Sequence, residues 1–166
     1  RFDDISCVIA SVPSYFVSEG MIGRSGPSGT SCWSYHGEEL NYTPYIIRDF
    51  DILKQLRTYG ELNILSYNTG KDVTDESILL ISTEADTVWP STEQAAHIVS
   101  DLQEHDFPYE VKSLTYEKIS HFAIPMRSNT WLLKLMFRSE RQFPEECAAE
   151  RTDLSEQAVD FIQNHW

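Results

Sequence analysis

Two residues in this sequence have the types and spacing of an acid–base pair. Asp86 follows the apolar run Ser77-Ile78-Leu79-Leu80-Ile81-Ser82 after a short polar turn. His121 stands five residues beyond Tyr116, which closes the alternating segment Glu110-Val111-Lys112-Ser113-Leu114-Thr115-Tyr116. A carboxylate that accepts a hydrogen bond from an imidazole fixes its tautomer. It also stabilises the imidazolium that forms when the ring takes a proton. Taken singly, each residue has a plainer reading: an Asp in a strand-to-helix turn caps the backbone, and a loop His is often structural. Their joint placement after successive strands favours the catalytic pair. Glu84, closer to the strand end, is the rival acid and could instead face solvent.

An acid–base pair of this type needs a nucleophile, and the sequence supplies no clear one. A serine or cysteine on a sharp strand-to-helix elbow would normally lie in Gly-x-Ser-x-Gly. Gly23-Arg24-Ser25-Gly26-Pro27 and Gly26-Pro27-Ser28-Gly29-Thr30 each lack the final glycine and do not connect a strand to a helix. Ser25, Ser28 and Cys32 are therefore poor candidates. His97 and His105 share one helix with no third ligand nearby, and His36 has no identifiable partner. No metal-ligand spacing, phosphate-cradling glycine loop or basic stripe occurs, so no metal and no cofactor are expected.

The elements that must position Asp86 and His121 are legible from periodicity. Ile5 to Val12 and Ser77 to Ser82 are short, nearly continuous apolar runs, as expected for strands covered on both faces. Glu110 to Tyr116 alternates and is a third strand, nearer an edge. Ile46 to Tyr59 has helical spacing closed by Gly60. Ser91 with Gln94 forms a capping box ahead of the stripe Ala95, Ile98, Val99 and Leu102. Trp131 to Phe137 is helical, and a last helix starts at Asp153 and buries Leu154, Ala158, Phe161 and Ile162. Between Ser14 and Tyr45 the chain is glycine-rich and irregular, and a loop of that length is usually functional. Strands alternating with helices predict an α/β fold with a mostly parallel sheet flanked by helices. Three strands are few for such a sheet, so this is expected to be part of a larger one. Acid then histidine, on successive strand ends, is the order found in α/β-hydrolases.

Composition narrows the function classes. Hydrophobic residues make up 41% of the 166 positions, too many for a disordered chain, and no apolar run is long enough to span a membrane. Thirteen basic against 26 acidic residues give a net charge of −13, which repels phosphate backbones and argues against nucleic-acid partners. Cys7, Cys32 and Cys147 are widely spaced and form no CxxC, which points to a reducing, cytoplasmic setting without disulfides. Cys7, in an apolar run, reads as a buried thiol.

Several segments together resemble the C-terminal α/β-hydrolase domain of the acyl-CoA thioester hydrolase and bile acid-CoA:amino acid N-acyltransferase family. Ile5-Ser6-Cys7-Val8-Ile9-Ala10-Ser11-Val12-Pro13-Ser14 looks like the strand after that family's nucleophile helix. Ser31-Cys32-Trp33-Ser34-Tyr35-His36-Gly37-Glu38-Glu39-Leu40 looks like its W-x-Y-x-G-x-x-L loop. Ile78 to Ser91, with Asp86 and Trp89, resembles its acid-bearing strand and turn, and Ser120-His121 with Pro125 resembles its histidine loop. Ser120 stands where the family has a glycine.

The resemblance implies that residues 1–166 are the C-terminal portion of one α/β-hydrolase domain. Asp86 would be the triad acid and His121 the general base, with Trp33 and Tyr35 near the substrate. The expected reaction is hydrolysis of an acyl-CoA-like thioester by a Ser(Cys)-His-Asp triad. Its nucleophile would lie on a segment absent from this sequence, contributed by the N-terminal part of the same precursor or by a second chain. The 166-residue chain alone is then expected to be inactive. A non-catalytic or degenerate half-domain acting as a binding or assembly module, and a hydrolase of esters or peptides, are the alternatives.

Overall fold

The computed structural model describes residues 5–15, 17–22, 26–42, 77–124 and 130–166. The helix expected over residues 46–59, together with Ser25 and Pro125, lies outside the described residues. The chain divides into two units, Arg1–Pro13 with Val73–Trp166, and Ser14–Asp72.

The first unit is a three-stranded sheet with helices, of mixed α/β character. Its strands are β1 (Cys7–Ser11), β6 (Ser77–Thr83) and β7 (Val111–Tyr116), in the order β1-β6-β7. Both pairings are parallel: Val8 faces Ile78 and Ser11 faces Ile81, while Ile78 faces Val111 and Thr83 faces Tyr116. The central strand β6 is buried along all seven residues, which explains its continuous apolar run. Successive side chains point to opposite faces. Leu79 and Ile81 therefore pack with Ile119, Cys147, Leu154, Ala158 and Phe161, while Ile78 and Leu80 pack with Ala95 and Leu102. Helix α1 (Ser91–Glu104) covers the second face. Helix α4 (Pro144–His165) supplies Cys147, Leu154, Ala158 and Phe161 to the first. Each fully buried Leu or Ile contributes about 1.5–3 kcal/mol of transfer free energy.

Several expectations are corrected. Strand β1 is half-buried at every residue, Cys7 included, because among the described residues it has a paired neighbour on one side only. The last helix begins at Pro144, nine residues before Asp153. Proline is pre-organised for a first helical turn, and two acidic residues, Glu145 and Glu146, follow it there. The Ser91–Gln94 capping box does not form. Ser91 is fully buried and its hydroxyl turns to the backbone of Thr83 instead, tying the start of α1 to the end of β6. The helix expected over Trp131 to Phe137 is present as α2 (Trp131–Met136), and a second short helix, α3 (Arg138–Gln142), follows it.

The described part of the second unit is not irregular throughout. It forms two small antiparallel pairs, β2 (Glu19–Met21) with β3 (Pro27–Ser31), and β4 (Ser34–Tyr35) with β5 (Glu38–Glu39). His36 and Gly37 both have positive φ, 51° and 83°, as a two-residue hairpin turn of this twist requires. Glu19 accepts the Gly29 N–H at 2.6 Å, and the Tyr42 hydroxyl donates to the Gly29 carbonyl at 2.7 Å. No helix among the described residues is long and apolar enough to cross a membrane.

Candidate functional site

Strands β6 and β7 run side by side in the same direction, so their C-terminal ends deliver neighbouring loops. Thr83 and Tyr116 are paired. The segment after Thr83 carries Asp86, and the segment after Tyr116 carries His121. The two side chains meet: His121 Nδ1 lies 3.1 Å from Asp86 Oδ1 and 3.0 Å from Oδ2. The Asp86 side chain is fully buried and that of His121 is 15% exposed. An ionised carboxylate is acceptor-only, so this contact puts the proton on Nδ1 and leaves Nε2 as the nitrogen for proton exchange.

Asp86 owes its orientation to its own turn. Its Oδ1 accepts the backbone N–H groups of Val88, at 2.9 Å, and Trp89, at 3.3 Å. This is the local pattern by which an Asp side chain builds a turn. The capping reading and the acid reading of Asp86 therefore describe one geometry. Glu84 is exposed and plays no part in the pair. Trp89 packs edge-on against the His121 ring, with centroids 4.4 Å apart and planes at 83°. Its indole N–H donates to the Val12 carbonyl at 3.1 Å.

Val12 itself has φ of 47°, an unfavourable value for a β-branched residue. Its N–H is bound to the Ile81 carbonyl at 2.6 Å, so its backbone is held on both sides at the end of β1. Strain of this kind costs on the order of 1–3 kcal/mol and persists only where the surroundings over-determine it.

His121 is positioned by residues that sequence reasoning missed. The Thr83 hydroxyl donates to the Ile119 carbonyl at 2.5 Å, and the Cys147 thiol to the Lys118 carbonyl at 3.1 Å. Ser120 N–H donates to Glu140 Oε1 at 3.0 Å. Glu140 is 1% exposed and forms a two-point ion pair with Arg151, itself 5% exposed; one of the two contacts is Nη1 to Oε2 at 2.9 Å. Burial works to raise the Glu140 pKa, but the Arg151 guanidinium and the Ser120 N–H outweigh it and hold the carboxyl below its ordinary range. Burial first, and then the Glu140 charge, push the Cys147 thiol up to about 12, so it is a donor at neutral pH. Thr83 closes β6, while Glu140, Cys147 and Arg151 stand on α3 and α4, ahead of the helix start expected at Asp153, so no pattern in the sequence marked them.

The remaining candidates divide plainly. His97 is exposed on α1 and His105 is exposed just beyond its C-terminal end, where its Nδ1 lies 2.7 Å from the Asp101 carbonyl. Trp33 and Tyr35 are exposed, at 67% and 58%, in the second unit, where Trp33 borders a polar cleft with Thr30, Cys32 and Glu39. The Ser28 hydroxyl is bound to Thr30, and Cys32 Sγ lies 3.5 Å from the Ser18 hydroxyl, so each has a local partner. No serine or cysteine among the described residues of the first unit is hydrogen-bonded to His121. Among the described residues no three His, Cys, Asp or Glu side chains are grouped to hold a metal ion. No protein-family model matches the chain, and neither a curated protein nor a solved structure matches it.

Proposed function

We propose that this chain supplies the acid and base of a Ser(Cys)-His-Asp acyl-transfer hydrolase of α/β-hydrolase type, acting on acyl-CoA-like thioesters. The observation that carries the reading is the 3.0 Å contact between His121 Nδ1 and the buried Asp86 carboxylate, at the ends of adjacent parallel strands. A nucleophile on another polypeptide segment attacks the thioester carbonyl. His121 Nε2 takes the nucleophile's proton, and the resulting imidazolium is stabilised by Asp86. The same proton then passes to the departing thiol, and in the second half-reaction His121 activates water to release the acid. The thioester as substrate, rather than an ester or a peptide, rests on the sequence resemblance described above.

The edge of β1 that faces away from β6 is where the nucleophile-bearing strand would add. That addition would extend the parallel sheet and cover side chains that are now half-exposed. The test is hydrolysis of acyl-CoA substrates by the longest natural form of the protein, compared with its Asp86→Asn and His121→Ala variants. Each substitution is expected to lower kcat by roughly 10³- to 10⁴-fold, because the wrong tautomer or the absent base leaves the nucleophile protonated. Activity that survives His121→Ala unchanged overturns the assignment.

A further inference from the structure

The three backbone N–H groups immediately before Ser120-His121 converge on one side chain from a distant helix. Glu150 Oε1 accepts from Glu117, at 3.2 Å, and from Lys118, at 3.1 Å. Its Oε2 accepts from Lys118, at 2.9 Å, and from Ile119, at 2.8 Å. The next N–H, that of Ser120, goes to Glu140. Four successive donors thus point at two carboxylates, and successive N–H groups arranged this way form a concavity suited to an anion. Glu150 stands on α4, the helix whose Leu154, Ala158 and Phe161 are packed against the sheet. The carboxylate therefore projects from a fixed platform. Among the described residues no other side chain binds this many backbone groups of the loop.

We infer that Glu150 is a further positioning residue of His121: it sets the path of residues 117–119, and so the place where the imidazole meets Asp86. This rests on the reading of His121 as the base, and it adds a residue that touches neither substrate nor the reacting atoms. The physical argument is one of lever length. The Asp86–His121 contact is 3.0 Å, within hydrogen-bonding range, and a displacement of about 1 Å at the loop breaks it. Truncating Glu150 leaves three N–H groups without an acceptor at a half-buried site. They regain partners only by turning toward water, which rotates the peptide planes leading into Ser120 and His121.

The test needs no nucleophile. In the ¹⁵N-labelled protein in its longest natural form, the Nδ1–H proton of His121 is expected as a downfield resonance, sheltered from solvent exchange and assigned by its loss in His121→Ala. Glu150→Ala should broaden that resonance away, or speed its exchange with water about tenfold or more, the scale of a lost charge-assisted hydrogen bond. Glu150→Gln keeps one acceptor oxygen but turns an NH₂ group against the remaining donor, so its exchange rate should fall between those of the wild type and Glu150→Ala. Ala158→Gly, on the same helix, is the control for general loss of stability; it should lower Tm and leave the resonance intact.

The inference is overturned if Glu150→Ala and Glu150→Gln both keep the wild-type resonance and exchange rate, whatever happens to Tm. Should Glu150→Ala fail to fold, Glu150→Gln decides between the same two outcomes. A wild-type chain with no such resonance instead overturns the Asp86–His121 pair itself. The two failures are distinguishable, because the first leaves the signal present in every Glu150 variant.

Discussion

The turn that carries Asp86 and the loop that carries His121 end neighbouring strands, yet they are held in different ways. The Asp86 turn is secured largely by its own residues. Asp86 accepts from Val88 and Trp89, Thr83 Oγ1 accepts from the Ala85 N–H, and Ser91 reaches back to Thr83. Every one of these partners is within eight residues in sequence. The His121 loop draws on Thr83, Glu140, Cys147 and Glu150, which are 20 to 36 residues away. Local bonds make a rigid turn from a short sequence. Distant bonds make the position of the histidine depend on the docking of α3 and α4, so damage to those helices should reach the site through the loop and leave the acid turn in place.

The largest effect expected from this contrast comes from Arg151→Ala. It leaves the Glu140 carboxylate buried without its counter-charge, which should cost on the order of 3–5 kcal/mol of unfolding free energy, read from urea denaturation. Asp86→Ala, by comparison, removes an acceptor from two local N–H groups and should cost about 1–2 kcal/mol. Equal losses from the two substitutions would break the comparison.

The same ion pair gives a pH dependence. The folded pKa of Glu140 lies below its unfolded value of 4.5. Its contribution to stability is therefore fully present above pH 4.5 and is lost as pH falls through the lower, folded value. A Tm profile taken below pH 5 should decline less steeply in Arg151→Met, where the counter-charge is gone.

A chemical probe of the long-range side comes next in size. The Cys147 thiol is buried and pushed up to about 12, whereas Cys32 is exposed. Since the thiolate is the reacting species, alkylation of Cys147 in the folded protein should be at least about a hundredfold slower than that of Cys32. Mass spectrometry of the labelled peptides measures the ratio. Rapid labelling of both would mean that α4 leaves the loop readily.

Smaller again is Thr83→Val, at a residue whose hydroxyl serves both segments. Its hydroxyl donates to Ile119 and accepts from Ala85, so its removal should cost about 1–2 kcal/mol, with amide exchange rising in both segments. Glu84→Ala, at an exposed position in the acid turn, should change stability by no more than about 0.5 kcal/mol, and a larger change would show that the Glu84 side chain takes part in holding the turn.

The sequence by itself determined what is encoded over short distances. The unbroken apolar run of β6, the alternation of β7 and the helical stripe of α1 were each readable, because a buried strand and an amphipathic helix impose their own periods. The same holds for the local bonds of the Asp86 turn, in which Asp86 accepts from Val88 and Trp89 and Thr83 accepts from Ala85. The pairing of Asp86 with His121 was also within reach, since parallel neighbours place their C-terminal loops side by side. Tertiary structure alone decided the rest. Ser91 abandoned its expected cap because burial beside Thr83 offered another partner, and β1 is half-exposed because burial depends on neighbours that its own residues do not encode. Glu140, Glu150 and Arg151 look like ordinary surface charges between the two helices expected there. Only the docking of α4 against the sheet brings Glu150 to three backbone N–H groups and closes Arg151 onto Glu140, because such contacts are set by the packing of distant segments and leave no local period in the sequence.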